Sequence, residues 1–154
     1  MRTFSTFEEI EAAAGEEIGT TDWVEITQER VDQFADATGD HQWIHVDVER
    51  AADGPFGGTI AHGYLTLALV IPLWTELLRI EGIGMAVNYG LNKVRFPAPV
   101  PAGRKVRLAA RLGTVDEVDA HTVQAVVDLT LELEGGDKPP VVAQAVYRYL
   151  ASPS

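Results

Sequence analysis

Three features of this sequence predict an α+β fold in which a curved antiparallel sheet wraps around one buried helix. The stretch from Tyr64 to Ile80 is apolar on nearly every face, the pattern of a helix enclosed by protein. Beyond it the period changes from helical to two. Val106, Leu108, Ala110 and Leu112 alternate with Arg107 and Arg111, and Val123, Ala125, Val127, Leu129, Leu131 and Leu133 alternate with mostly polar residues. Finally, these strands follow one another without helical segments between them, so parallel βαβ units are not expected, and a helix buried on both sides needs a sheet that curves around it.

Each element can be placed in turn. Ser5 and Glu8, or Thr6 and Glu9, have capping-box spacing ahead of an Ala-rich segment that Gly15 can end, which predicts a short first helix. Thr27 is placed to cap a second helix, whose Val31, Phe34, Ala35 and Thr38 share one face and which Gly39 stops. Asp40 to His45 then reads as a loop, and Val48 to Ala52 as a helical turn ended by Asp53-Gly54-Pro55 and Gly57-Gly58. Pro72 is expected to kink the central helix, because its ring removes an N–H and crowds the preceding turn. Met85 to Leu91 and Val141 to Leu150 read as further strands, and Gly135-Gly136-Asp137 as a turn. Residues 1–150 are expected to form a single domain, with 151–154 as a tail.

Composition narrows the function. With no cysteine there is no thiol nucleophile, disulfide or thiolate metal site, which suits a reducing compartment. The N-terminus turns acidic early and lacks the pattern of a secretory signal, so a cytoplasmic location is expected. The longest apolar stretch, Tyr64 to Trp74, is too short to span a bilayer, which takes about 20 residues. A net charge of −11 argues against nucleic-acid or anionic-membrane binding, and no G-x-G-x-x-G or Walker sequence is present to hold a nucleotide. Between Gly82 and Val115, however, there is no Asp or Glu, while Lys93, Arg95, Arg104, Lys105, Arg107 and Arg111 supply half of all Lys and Arg. This segment is either a set of solvated strand faces or a basic lip for a phosphorylated ligand.

The segment Gly39-Asp40-His41-Gln42-Trp43-Ile44-His45 resembles the signature of R-specific enoyl-CoA hydratases and MaoC-like dehydratases, matching it at Gly39, Asp40, Ile44 and His45. Ala61-His62-Gly63 resembles the family's His-Gly step at the start of its central helix, and Arg95-Phe96-Pro97 through Gly103 resembles its strand-Pro-Val-x-x-Gly element. Gln42 and Trp43 replace the majority Asn and Pro, as in the nodulation-protein-N-like branch. The resemblance implies a hotdog fold and a homodimer. It also implies reversible syn-hydration of a trans-2-enoyl-CoA thioester to the R-3-hydroxyacyl product, with Asp40 and His45 as the catalytic pair.

That chemistry needs a base for water, an acid for carbon 2 and a donor for the developing enolate oxygen. Asp40 and His45 can hold one water between them, and the backbone N–H of Gly63 can serve the thioester oxygen. His62 is expected to support the Gly63 turn beside the substrate. Gln42 either positions water or ties the loop to neighbouring backbone. Lys93, Arg95 and Arg104 are the candidates for the CoA phosphates. Tyr64, Trp74, Trp43 and Phe56 either line an acyl pocket or form core. His41 and His45 lie in a predicted loop, so their spacing implies no shared metal face, and neither metal nor cofactor is required. The alternatives are a hotdog thioesterase, disfavoured because no carboxylate occurs between His62 and Thr75, and a non-catalytic acyl-thioester-binding subunit.

Overall fold

The computed structural model describes residues 1–153. Eight strands and six helical segments run in the order β1 (Arg2–Phe4), α1 (Phe7–Ala12), β2 (Glu17–Thr20), β3 (Val24–Glu25), α2 (Gln28–Thr38), α3 (Trp43–Val46), α4 (Val48–Ala52), α5 (Gly63–Ala68), α6 (Val70–Leu77), β4 (Leu78–Ile80), β5 (Ile83–Arg95), β6 (Lys105–Asp119), β7 (Thr122–Leu133) and β8 (Val141–Ala151). The main sheet has the order β2-β6-β7-β8-β5, with β3 also on β6, and every pairing in it is antiparallel. The α5–α6 helix packs along its concave face.

The predicted alternation holds. Val106, Leu108, Ala110 and Leu112 of β6 are buried, as are Val123, Ala125, Val127, Leu129 and Leu131 of β7, and the register pairs Leu108 with Leu131 and Leu112 with Val127. Leu65, Val70, Leu73, Trp74 and Leu77 of the helix join them in one apolar cluster. The central helix is interrupted at Leu69, three residues before Pro72, because the ring nitrogen has no proton to give the Ala68 carbonyl.

Several expectations are corrected. The central helix ends at Leu77, and Leu78–Ile80 instead forms a strand parallel to β1, whose unpaired edge the apolar residues satisfy. One stripe of the helix, Tyr64, Ala68, Pro72 and Thr75, remains exposed, so a single chain does not enclose it. His45 lies in the helical turn α3, leaving only Asp40 to Gln42 as loop. Ala151 closes β8 instead of starting a tail, its N–H donating to the His121 carbonyl at 2.8 Å.

Candidate active site

Three segments converge where the central helix begins. Thr27 caps α2 through its side chain, and Gly39 ends that helix in the left-handed region (φ 79°), with its N–H on the Ala35 carbonyl at 2.8 Å. A side chain is strained in that conformation, and the turn it makes directs Asp40 away from the helix axis. The Asp40 carboxylate is half exposed, and its Oδ1 accepts the Gln42 N–H at 3.4 Å.

His45 reaches the same place from α3. Its Nδ1 lies 2.6 Å from the Ile60 carbonyl. A carbonyl only accepts, so Nδ1 carries the proton and the neutral ring keeps its lone pair on Nε2. His62, the residue before α5, places Nε2 2.9 Å from the Asp40 carbonyl and 4.0 Å from its Oδ2. The His45 and His62 rings stack at 3.8 Å with 23° between their planes, and Phe34 of α2 closes the far side of His62 at 4.9 Å.

Burial governs the electrostatics. His45 is 7% exposed, and its loss of water pushes its pKa below the ordinary 6.5. The Ile60 carbonyl opposes that shift, His62 adds to it and Asp40 opposes it. Ligand atoms of Asp40, His45 and His62 fall within 4.8 Å of one another. Stacked imidazoles send their in-plane lone pairs side by side rather than to one point, so the trio suits a hydrogen-bonded water better than a metal ion. His41 turns away to Asp36 at 2.9 Å, and that carboxylate raises its pKa.

Beside the pair lies a cleft of about 270 Å³ lined by His45, Ile60, Gly63, Thr66, Phe56 and Phe96, among others. As the first residue of its helix, Gly63 has no intrahelical acceptor for its N–H. A Cβ built on Gly63 would meet the Phe96 ring at 3.4 Å, so the missing side chain keeps the cleft open over this amide.

Residues 9–133 match the MaoC-like domain family. The chain belongs to the MaoC-like dehydratases. It is 58% identical over 151 residues to the 3-hydroxyacyl-thioester dehydratase Z of Mycobacterium tuberculosis, a match covering 98% of this chain and 100% of that protein. Nodulation protein N of Rhizobium leguminosarum bv. viciae is 40% identical over 137 residues, covering 88% of this chain and 85% of that one. The hotdog fold is shared with an (R)-hydratase from A. caviae at a TM-score of 0.72 and 23% identity, over 87% of this chain and 94% of that one.

The remaining candidates of this MaoC-like dehydratase chain divide. Gln42 reaches the site through its backbone, its carbonyl accepting the His45 N–H at 3.0 Å, while its side chain stays exposed and makes no cap to α3. Lys93 and Arg95 are exposed on β5, the strand that runs into the cleft residue Phe96; neither lines the cleft, and the Arg95 guanidinium donates to the Val94 carbonyl at 2.7 Å. Arg104 is not brought to the cleft: its guanidinium donates to the Glu134 carbonyl at 2.5 Å, where β6 leaves β7. Arg107 is likewise engaged by Glu132 at 2.7 Å and lies over Trp23, which favours the solvated-face reading for that part of the basic segment. Trp43 stacks under Arg50, and Trp74 donates to the Tyr149 hydroxyl inside the core, so of the four aromatics only Phe56 lines this cleft.

Sequence reasoning missed Gln28. From the first turn of α2, its Nε2 donates to the His45 carbonyl and to Asp32 Oδ1, both at 2.8 Å, while its Oε1 accepts from Thr59 Oγ1 at 2.5 Å. One amide thus ties α2, α3 and the segment leading to His62. A glutamine just inside a helix has no pattern of its own; only the buried backbone of the facing loop gives it a task.

Proposed function

We propose that this protein hydrates trans-2-enoyl-CoA thioesters to (R)-3-hydroxyacyl-CoA, reversibly, with Asp40 and His45 holding the reacting water and the Gly63 N–H receiving the thioester oxygen. The observation that carries this reading is the His45–Ile60 hydrogen bond. It fixes the tautomer in which Nε2 is unprotonated, on an imidazole that burial keeps uncharged near neutral pH. Such a ring can take a proton from water as its oxygen attacks carbon 3. Asp40, close by and partly solvated, completes the pair through which that proton is returned to carbon 2, so that one hydrogen of the water ends on carbon 2 and the other stays on the new hydroxyl. As negative charge builds on the thioester oxygen, the Gly63 amide at the cleft meets it; losing such a donor typically costs about 2.7–4 kcal/mol of transition-state stabilisation. R stereochemistry follows from the family resemblance, with both protons handled on one face of the substrate.

The reading extends to three further points. Lys93 and Arg95, exposed on the strand that leads to the cleft residue Phe96, meet the CoA phosphates. The working unit is a homodimer joined along β5, whose partner copy covers the exposed helix stripe. Its home is the cytoplasm, in keeping with a chain that has no cysteine and no described helix long and apolar enough to cross a membrane.

The test is to mix purified protein with crotonyl-CoA and longer enoyl-CoAs and follow the conjugated-alkene absorbance. Wild type should turn over, while Asp40→Asn and His45→Gln should each lose at least about a hundredfold in kcat, as expected for removal of general acid–base groups. No turnover at any chain length would falsify the hydratase reading. Release of free CoA without hydroxyacyl product would make the protein a thioesterase.

A further inference from the structure

His62 touches both members of the pair and takes no proton-transfer role in the mechanism above. We propose that it is the positioning residue of the Asp40/His45 pair: its Nε2–H fixes the Asp40 backbone, and its ring face seats the His45 imidazole and keeps water from that side. The proposal rests on the hydratase reading for its consequence in catalysis, but not for its structural content.

The geometry is specific. The Nε2 contact of 2.9 Å goes to the carbonyl of Asp40, so His62 holds the main chain of that residue without engaging its carboxylate in a hydrogen bond. Its ring lies 3.8 Å from the His45 ring, nearly parallel to it, and is 2% exposed, with Phe34 behind it. His45 is therefore held at four places: its N–H by the Gln42 carbonyl, its own carbonyl by Gln28, its Nδ1 by Ile60 and its ring face by His62. The rotation left to it is small, as a base that must meet a defined water requires.

One atom argues that this is more than packing. His62 Nδ1 is buried and has no hydrogen-bond partner among the described residues. An unpaired buried acceptor is destabilising, and an apolar ring would fill the same space without that penalty. What an apolar ring lacks is the Nε2–H that reaches Asp40. The charged group facing the stack is Asp40 from the loop after α2; Asp32 of α2 is tied only to the Gln28 amide, which holds the His45 carbonyl and not its ring. Charge on the stacked His62 opposes protonation of His45, which adds to the effect of burial in holding His45 uncharged.

Two variants separate the two contacts. His62→Phe keeps a ring against His45 and removes the donor to Asp40; kcat for crotonyl-CoA should fall about ten- to a hundredfold with KM nearly unchanged, the scale of a misplaced catalytic group. His62→Gln keeps an amide donor and removes the ring; the acidic limb of the kcat/KM profile should move to higher pH, because water reaches His45 and its protonated form gains. Proton NMR of the His45 ring should show the same upward movement whether or not any substrate turns over, so an inactive wild type would count against the hydratase reading alone. In the wild type, the ring protons of His45 and His62 should give a direct nuclear Overhauser contact, as their stacking requires. Unchanged kcat in His62→Phe together with an unmoved His45 titration in His62→Gln overturns the proposal. If neither variant folds, the absence of any contact between the two rings in the wild type overturns it.

Discussion

Taking an imidazole out of water penalises its charged form, and at His45 this couples folding to pH. Its folded pKa lies below the ordinary 6.5, so the unfolded chain binds this proton at a pH where the folded chain does not. The contribution of His45 to stability is therefore fully present above about pH 6.5 and is lost as pH falls toward its folded value. Thermal melts should show the melting temperature of wild type dropping over that acidic interval more steeply than that of His45→Gln, which lacks the titrating group; parallel curves would contradict the assignment. Gln28 makes a second prediction at this scale. Gln28→Ala leaves the His45 carbonyl and the Thr59 hydroxyl without their partner, and urea unfolding should register about 1–3 kcal/mol of lost stability. The same variant should lower kcat, since α3 is then free to shift its imidazole.

Among elements, legibility followed length and chemistry. The helix over Gln28–Thr38 could be read because its start and its stop are both written in residue types: Thr27 accepts a backbone N–H at one end, and Gly39 takes a left-handed turn at the other. The long strands β6 and β7 could be read because four and six alternating apolar positions leave no other period. Strands of two to four residues, such as Val24–Glu25 and Glu17–Thr20, are too short to show a period at all, and only their pairing with β6 makes them strands. Leu78–Ile80 looked like the end of the helix because a short apolar run serves either structure; the N-terminal strand, far away in sequence, decides between them. The candidate site divides similarly. Asp40, His45, His62 and Gly63 lie close in sequence and converge at one helix start, whereas Arg104 is carried off by the strand that bears it. The start of α5 carries its own test. Because a Cβ on Gly63 reaches the Phe96 ring at 3.4 Å, Gly63→Ala should fold normally, with a melting temperature within a few degrees of wild type. It should nevertheless hydrate enoyl-CoA far more slowly if the Gly63 amide receives the thioester oxygen as proposed, since the methyl then stands in its approach; undiminished kcat would remove Gly63 from the site.

At the scale of the whole molecule, the sheet is finished on one side and open on the other. β5 runs thirteen residues with β8 as its sole main-sheet neighbour, and its free edge carries Met85, Tyr89 and Leu91 at 52, 58 and 47% exposure. Its residues Ala86, Asn88 and Gly90 help line openings of about 350 and 310 Å³ between β5 and the central helix. Tyr64, at 73% exposure, heads the uncovered helix stripe nearby. A long edge strand with exposed apolar residues invites another strand, and a two-fold axis lets the same edge serve both copies, closing both openings at once. Sedimentation should therefore give twice the 16.7 kDa chain mass. Met85→Lys combined with Tyr64→Glu places charges at positions that are exposed in the single chain, so the fold should stand, yet a paired edge would bury them unpaired. The double variant should sediment as a monomer with native circular dichroism and should lose most hydration activity, because β5, which runs directly into the cleft residue Phe96, is no longer braced by a second copy. A wild type that sediments as one chain while turning over enoyl-CoA at full rate would show that the open edge is left to solvent and that one copy suffices.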